Sequence, residues 1–148
     1  MTMTDYSGFA VRELVWEQGR QALSTVRKAV FIDEQGVPEA LEWDSCDADA
    51  RHLLAEDADG KPIGTARLLG DGRIGRMAVL SAWRGRGVGR ALLDEALRLA
   101  RRQGMASVYL DAQVTSIGFY RRSGFVAYGE VFPDAGIPHR RMKMHLGV

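Results

Sequence analysis

Alternating glycines and arginines in the second half of the chain restrict the folds that this sequence can adopt. Residues 84–90 read Arg-Gly-Arg-Gly-Val-Gly-Arg, between a strand-like run over 74–80 and an amphipathic helical pattern. Glycine adopts positive φ and lacks a Cβ, so a diphosphate can approach this backbone closely. The first N–H groups of the following helix have no intrahelical partners and attract anions. We therefore predict an anion-binding turn that joins a strand to a helix.

Three arginines in this turn strengthen the prediction of a bound anion. Arg84, Arg86 and Arg90 add charge-assisted donors at a helix N-terminus, where positive charges without an anion would oppose the helix dipole. A purely structural turn needs one glycine and gains nothing from these charges. A dinucleotide fingerprint needs glycine at position 90, and a P-loop needs Gly-Lys-Ser/Thr. The spacing in this sequence matches neither the dinucleotide fingerprint nor the P-loop. Binding of a nucleotide or dinucleotide therefore stays only as a minor alternative.

Hydrophobic patterning predicts alternating strands and helices along the rest of the chain. Period-two alternation predicts strands over 9–15, 52–56, 63–69, 74–80, 107–111, 125–131 and 141–146. Helical spacing predicts helices over 16–35, from the glycine turn to Gly104, and over 115–123, with Thr115 as N-cap and Gly124 closing the last. The segments 39–49 and 132–139 are predicted as loops. This order, β-α-β-β-β-α-β-α-β-β, predicts one α/β (α+β) domain over residues 1–148.

Composition and charge exclude several classes of protein. The chain has 148 residues, of which 46% are hydrophobic and 26% charged, and this suits one folded core. A net charge of +1 gives no reason to expect nucleic acid or an anionic membrane as partner. The single cysteine, Cys46, forms no internal disulfide and is predicted to be a buried thiol. With no signal-peptide pattern and no membrane-spanning apolar run, we expect a cytoplasmic protein.

Two motifs in the right order resemble the GCN5-related N-acetyltransferases, the GNAT family. The first is Arg-x-x-Gly-x-Gly at 84–89, after a strand that contains Met-Ala-Val at 77–79. The second is Leu-Asp-Ala-Gln at 110–113, followed by Phe-Tyr-Arg-Arg-Ser-Gly-Phe at 119–125. Residues 30–38, Val-Phe-Ile-Asp-Glu-Gln-Gly-Val-Pro, also resemble a bacterial subgroup of predicted acetyltransferases. The resemblance covers nearly the whole chain and implies a mixed, mostly antiparallel, splayed sheet flanked by helices.

The resemblance implies an enzyme that moves an acetyl group from acetyl-CoA directly to a primary amine. In the GNAT family the strand before the turn leaves backbone groups free for the pantetheine arm, and the N–H groups of the turn hold the pyrophosphate. An amide on the next strand also contacts pantetheine, and glutamine stands here where many relatives carry asparagine. The implied cofactor residues are Met77, Ala78, Val79, Arg84, Gly85, Arg86, Gly87, Val88, Gly89, Arg90, Gln113, Phe119 and Tyr120.

The resemblance also implies the catalytic groups. Tyr120 matches the general acid for the departing thiolate, and its reference pKa of about 10 keeps the phenol protonated at pH 7. Many relatives carry a glutamate base on the central strand, but 74–76 here read Ile-Gly-Arg. The base candidates that remain are Glu34, at the end of the first helix, and His139, in a loop that substrate can reach. Further candidates are His52, Asp111, Glu130 and a water chain to bulk solvent.

No motif names the acceptor, which we expect to be the amine of a small molecule or peptide. The acidic segment 39–49 favours a cationic acceptor or is a solvated loop, and its Trp43 is the tryptophan expected to face the acceptor. Asp44, Cys46 and His52 lack the spacing of metal ligands, so no metal site is predicted. A homodimer is an open alternative to a monomer. A coenzyme A-binding sensor or interaction module without catalysis is the alternative class, motivated by the missing strand glutamate.

Overall fold

The computed structural model describes residues 3–147, which form eight strands and four α-helices. The strands are β1 (Met3–Asp5), β2 (Phe9–Val15), β3 (Arg51–Asp57), β4 (Pro62–Leu68), β5 (Ile74–Val79), β6 (Ser107–Gln113), β7 (Val126–Asp134) and β8 (Ile137–His145). The helices are α1 (Trp16–Arg27), α2 (Glu39–Glu42), α3 (Val88–Arg102) and α4 (Ile117–Arg121). None of the helices described in this range combines the length and hydropathy needed to cross a membrane.

The strands form two antiparallel sheets that meet at one point. One sheet has five strands in the order β1-β2-β3-β4-β5, and the other has three in the order β6-β8-β7. An isolated parallel bridge between Arg73 and Tyr109 joins them, and the Tyr109 N–H donates to Gly72 O at 3.1 Å. Beyond this bridge, β5 and β6 share no ladder among the described residues, so the two strands diverge. The predicted mixed, mostly antiparallel, splayed sheet is confirmed.

Helices α1 and α3 cover opposite faces of the larger sheet. Leu23 of α1 packs with Leu14 and Leu54, and α3 buries an apolar stripe that includes Leu92 and Leu93. Gly64 of β4 permits the close approach of α3, because a Cβ there would lie 2.9 Å from Leu92 Cδ1 and 3.2 Å from Ala78 O. Burial of such side chains, at about 25 cal/mol per Å² of apolar area, drives the packing.

The first helix and the two predicted loops differ from the sequence-based expectation. Helix α1 ends at Arg27 and continues as a π-helical segment over Lys28–Glu34, a widened geometry that often marks functional sites. Strand β1 was not predicted, because three residues carry too short an alternation. The acidic segment is not a loop, since it contains α2 and a 3₁₀ turn over Asp47–Asp49.

The C-terminal region also corrects two expectations. Residues 132–139 are not a loop but belong to a β7–β8 hairpin, in which Pro133 pairs with Pro138. The two prolines indicated a loop in the sequence. Because they face each other in the hairpin, neither position has to donate a backbone N–H to the partner strand. Thr115 is not an N-cap, because 114–116 form a 3₁₀ turn and α4 begins at Ile117. Gly104 and Gly124, with φ of 76° and 108°, follow α3 and α4 as predicted.

Candidate active site

A cleft of about 740 Å³ opens where β5 and β6 diverge. Of the residues predicted for cofactor or catalysis, the cleft is lined by Glu34, Met77, Ala78, Val79, Arg84, Gly89, Gln113, Phe119, Tyr120 and His139. These residues come from the π-helical segment, four of the strands and helices that follow the glycine turn (α3, β6, α4 and β8), strand β5 and, for Arg84, the turn itself. The remaining predicted residues do not line the cleft themselves: Gly85, Arg86 and Gly87 belong to the turn, and Val88 and Arg90 to the first turn of α3.

The glycine turn presents free backbone at one end of the cleft, which we call the turn side. Gly87 is the N-cap of α3 with φ of 84°, and none of the described side chains caps this helix. A Cβ at Gly85 or Gly87 would meet nothing within 4 Å, so the space over the turn is open. Two arginines of the turn already have partners, since Arg86 lies 4.8 Å from the Trp83 ring and Arg90 pairs with Asp94 at 3.2 Å. The turn therefore fits an anion through its N–H groups.

Glu34 and Arg84 form a two-pronged ion pair across the mouth of the cleft. The guanidinium donates to both carboxylate oxygens, at 2.6 and 2.7 Å, and its Nε donates to Val79 O at 3.0 Å. This pairing with Arg84 lowers the pKa of Glu34, which makes the carboxylate a weaker base. The next residue, Gln35, accepts a hydrogen bond from Gln113 Nε2 at 3.0 Å. The end of the π-helical segment therefore contacts both Arg84 and Gln113.

Tyr120 lies in an apolar environment at the base of the cleft. Its side chain is nine-tenths buried, and its ring contacts Phe119 and Phe125 edge-on, with centroids 5.0 and 6.0 Å away. Burial raises the pKa of Tyr120 to about 12. Within residues 3–147 no group hydrogen-bonds its hydroxyl. The phenol therefore stays protonated and keeps its donor available to a molecule in the cleft.

His139 lies in strand β8, opposite Gln113 of β6, and not in a loop as predicted. Its side chain is almost fully buried and stacks on Phe132 at 6.1 Å. Nδ1 lies 2.7 Å from Ile137 O, and because a carbonyl only accepts, Nδ1 must carry the proton. In the neutral ring, Nε2 is then the unprotonated nitrogen, and the residue lines the cleft.

The wall opposite the turn, which we call the cluster side, is an interlocked set of charges. The ion-pair cluster consists of Arg27, Glu42, Asp44, Asp47, Arg67 and Arg76. Arg27 is fully buried, donates to Glu42 at 2.7 Å and to Asp47 at 2.8 Å, and lies 5.1 Å from the Trp43 ring. Three carboxylates of the acidic segment, Glu42, Asp44 and Asp47, are therefore paired with arginines, whereas Glu39 and Asp49 are exposed. Trp43 contacts Arg27 and does not line the cleft.

The remaining base candidates divide by position. His52 is buried outside the cleft, with Nε2 3.0 Å from Asp47 O, and burial lowers its pKa. Glu130 is exposed on β7 and does not line the cleft either. Asp111 does line it, as does Glu42, which the sequence had not offered as a base. Burial raises the pKa of Glu42, although its arginine partners oppose the shift.

Arg76 lies in the segment 74–76, the region in which the family resemblance leads us to expect a glutamate, and the sequence did not indicate its role. Its φ of 49° is unusual for a residue other than glycine, and it lies at a β-bulge where the β4–β5 register shifts. Thr65 Oγ1 donates to Arg76 O at 2.9 Å, while the guanidinium reaches Glu42 O at 3.1 Å and Asp44 Oδ2 at 3.0 Å. Cys46 is half-buried at the cleft, not fully buried as predicted.

Comparisons with known proteins agree on one family. The family model described as acetyltransferase (GNAT) domain matches residues 6–146. Protein ElaA of Escherichia coli is 35% identical over 126 residues, which are 80% of this chain and 82% of that protein. The crystal structure of ElaA superposes with a TM-score of 0.81, covering 90% of this chain and 98% of that one at 32% identity. An acyl-CoA N-acyltransferase from Pseudomonas aeruginosa gives 0.80 at 34% identity, covering 97% and 99%.

Proposed function

Because the chain belongs to the GNAT acetyltransferase family, and is thus an acyl-CoA-dependent N-acyltransferase, we propose that it transfers an acetyl group from acetyl-CoA directly to a primary amine. The acceptor is a small molecule or a peptide. One observation carries the proposal: Arg84 and Gly89, which flank the open glycine turn, line a single cleft together with the diverging edge of β5 and the buried Tyr120. We infer that the reaction takes place in the cytoplasm, where a single cysteine stays reduced.

The chain's backbone is suited to hold acetyl-CoA at two places. Free N–H groups over residues 86–90 would hold the pyrophosphate, supported by Arg84, Arg86 and Arg90. Leu80 N–H donates to Ile63 O of β4. Because the backbone groups of successive residues in a strand point to opposite sides, the N–H and C=O of Val79 point away from β4, toward the cleft. Met77, Ala78 and Val79 with Gln113 and Phe119 would line the pantetheine arm. A bound acetyl-CoA supplies the activated thioester, and an N–H of β5 would stabilise negative charge on its carbonyl oxygen.

Tyr120 would assist departure of the thiolate mainly as a hydrogen-bond donor. With a pKa of about 12, complete transfer of its proton to a thiolate with a reference value of about 8.5 is uphill by roughly 5 kcal/mol. A donated O–H···S bond in an apolar site stabilises the developing charge without that cost. The proton can then reach the thiolate later, from the acceptor's nitrogen or from water.

His139 is the base we favour for the incoming amine. Its Nδ1–H is held by Ile137 O, so Nε2 is free to take a proton from an amine in the cleft. Glu34 is less suited to this step, because its ion pair with Arg84 stabilises the ionised form. An activity that depends on Glu34 more than on His139 would reverse this order.

The deciding experiment measures release of coenzyme A from acetyl-CoA with a panel of amines, amino acids, polyamines, aminoglycosides and peptides. A catalyst is expected to turn over at least one acceptor and to lose this activity in Tyr120→Phe while binding acetyl-CoA normally. Binding without turnover across the panel would instead favour the coenzyme A sensor, which the absence of a strand glutamate suggests. A melting screen also tests the donor, since ligand at about 100 times Kd adds roughly 2.7 kcal/mol of stability. Stabilisation by NADH or ATP, but not by acetyl-CoA, would contradict the proposal.

A further inference from the structure

The charges that line the cleft do not balance, and the excess is negative. Among the described residues, the lining contains the arginines Arg67, Arg73, Arg76 and Arg84 and the carboxylates Glu34, Glu42, Asp44, Asp111 and Asp134. Each arginine pairs with a different carboxylate of the lining. Arg67 and Arg76 leave Nε without a hydrogen bond, but this pairing still matches their charges. One carboxylate of the lining is therefore left without a positive charge.

The carboxylate left over is that of Asp134. Within residues 3–147, no arginine, lysine or histidine forms an ion pair with it, and no group hydrogen-bonds its side chain. Asp134 is the last residue of β7 and is exposed, next to the two-residue turn of Ala135 and Gly136. Asp134, Ala135 and Ile137 all line the cleft. The tip of the β7–β8 hairpin therefore brings one unpaired negative charge to the cleft wall.

The charges around the other carboxylates cancel. The ion-pair cluster has as many arginines as carboxylates. Asp111 Oδ2 accepts from Arg73 Nη2 at 3.0 Å. Two residues beside this pair, outside the lining, add one charge of each sign: Arg141 Nε lies 3.5 Å from Asp111 Oδ1, and Asp71 Oδ1 accepts from Arg73 N–H at 3.1 Å. Asp111 Oδ1 is buried and makes no hydrogen bond, so an anion at this end would meet an unsatisfied acceptor.

Asp134 is also close to the base that we favour, His139. In the β7–β8 ladder Asp134 pairs with Ile137, and Phe132 pairs with His139. Residues two positions apart in a strand share a face with their partners, so Asp134 and His139 are diagonal neighbours, about 7–8 Å apart. His139 is nine-tenths buried, and its Nε2 has no partner among the described residues. A short acceptor can therefore reach Nε2 with one end and the Asp134 carboxylate with the other.

We infer that the acceptor carries a second cationic group besides the amine that reacts, and that Asp134 binds this group. The reacting nitrogen must lose a proton, and a carboxylate bound to it would favour its charged form. Asp134 is therefore suited to a positive charge that persists through the reaction. Diamines, polyamines and aminoglycosides have this chemistry, whereas amines with an apolar or carboxylated far end do not. The inference rests on the proposed amine acetylation, because it names the class of amine.

The test compares three acceptors of matched length on the whole protein: putrescine, butylamine and γ-aminobutyrate, which end in an ammonium, a methyl group and a carboxylate. Transfer is followed by coenzyme A release. Wild type is expected to prefer putrescine to butylamine by about fivefold in kcat/KM, the size of one exposed ion pair, and to use γ-aminobutyrate least. The preference should lie in KM, because the far charge is bound equally in the ground and transition states. Equal use of putrescine and butylamine, or a preference for γ-aminobutyrate, would overturn the inference.

Variants at the hairpin tip separate this ion pair from the general charge of the protein. Asp134→Asn is expected to raise KM for putrescine until the preference is close to unity, and Asp134→Lys to reverse the order in favour of γ-aminobutyrate. The control is Glu130→Gln, which removes an exposed carboxylate of the same strand that does not line the cleft, and should keep the preference. An equal loss of preference in Asp134→Asn and Glu130→Gln would contradict the inference. Melting temperatures without ligand show whether the variants fold.

Binding measured without transfer separates the inference from the proposed function. The Kd for putrescine is measured by titration calorimetry on the protein saturated with coenzyme A, which has no acetyl group to transfer. If putrescine binds through Asp134 but no amine is acetylated from acetyl-CoA, the proposed function fails and the cation site stands. If putrescine and butylamine are acetylated equally well and Asp134→Asn changes neither rate, the proposed function stands and the inference fails.

Discussion

On the turn side of the cleft the protein offers backbone N–H groups, whereas on the cluster side it offers charged side chains that are already paired. The turn side is exposed and is formed by consecutive residues, 84–90, next to the edge of β5. Four of the six residues on the cluster side are buried, and the paired residues lie between 15 and 34 positions apart in the chain. The turn side can therefore vary in sequence as long as its conformation is kept, whereas the cluster side depends on the identity of each partner. Perturbing each side should accordingly have different consequences.

The largest effect is expected on the cluster side, from Arg27→Ala. The substitution leaves the carboxylates of Glu42 and Asp47 buried without their main partner, and such changes cost about 3–5 kcal/mol of the free energy of unfolding. Chemical denaturation measures the loss. Arg102→Ala, at a surface pair with Glu13, is the control, with an expected loss of about 1 kcal/mol or less. A loss as small for Arg27→Ala as for the control would show that the cluster does not stabilise the wall.

The second effect is expected where the two sides meet, from Tyr120→Phe. Removing the hydroxyl keeps the apolar packing with Phe119 and Phe125 but removes the donor for the thiolate. We expect kcat to fall by about 10²- to 10³-fold, the range for loss of one hydrogen-bond donor to a developing negative charge. The Kd for acetyl-CoA, measured by titration, should change by less than about twofold, since this is a loss of transition-state stabilisation. If the Kd for acetyl-CoA changed by as large a factor as kcat, the result would show that the Tyr120 hydroxyl acts in cofactor binding.

The same contrast explains how much of the molecule could be predicted from its sequence. The turn, helix α3 and the splayed sheet depend on local spacing and on glycines at fixed positions, so period and motif were sufficient. The ion-pair cluster was missed, because an acidic segment shows no trace of the arginines that neutralise it from α1, β4 and β5. His139 was predicted at the site but in the wrong element, because Pro133 and Pro138 concealed the hairpin. The ion-pair cluster and the position of His139 both depend on pairing between residues far apart in the chain, which local patterns do not show.

A smaller effect is expected on the turn side, from Gly87→Ala. A Cβ at this position meets no atom within 4 Å, so the penalty comes from the φ of 84° and not from a clash. Holding a non-glycine residue in the left-handed region costs about 1–2 kcal/mol. An exposed turn can relax out of this conformation in the free protein, so the cost falls on binding, and the affinity for acetyl-CoA should weaken by roughly tenfold in titration calorimetry. Gly70→Ala, at a glycine without positive φ and with open space around it, is the control and should bind normally.

The smallest effect is expected from the contact that connects the π-helical segment to the turn, the pair of Glu34 and Arg84. If the pyrophosphate and Glu34 compete for Arg84, then Glu34→Gln should tighten acetyl-CoA binding by no more than about fivefold, because a half-exposed ion pair is worth about 1 kcal/mol or less. Asp33→Asn, which removes the neighbouring carboxylate that pairs with Lys28, is the control and should leave the Kd unchanged.

The direction of the pKa shift of Glu34 determines how the effect of Glu34→Gln on the Kd for acetyl-CoA changes with pH. Arg84 lowers the pKa of Glu34, so the pair is intact above the usual carboxyl range and is lost only as the pH falls through the lowered pKa. The difference in Kd between wild type and Glu34→Gln should therefore be largest near neutral pH and in low salt, and should vanish in acid, where Glu34 is protonated and releases Arg84. Weaker binding by Glu34→Gln at neutral pH would mean that Glu34 holds Arg84 in place for the phosphate. The π-helical segment would then belong to the cofactor site itself, and would not compete with it.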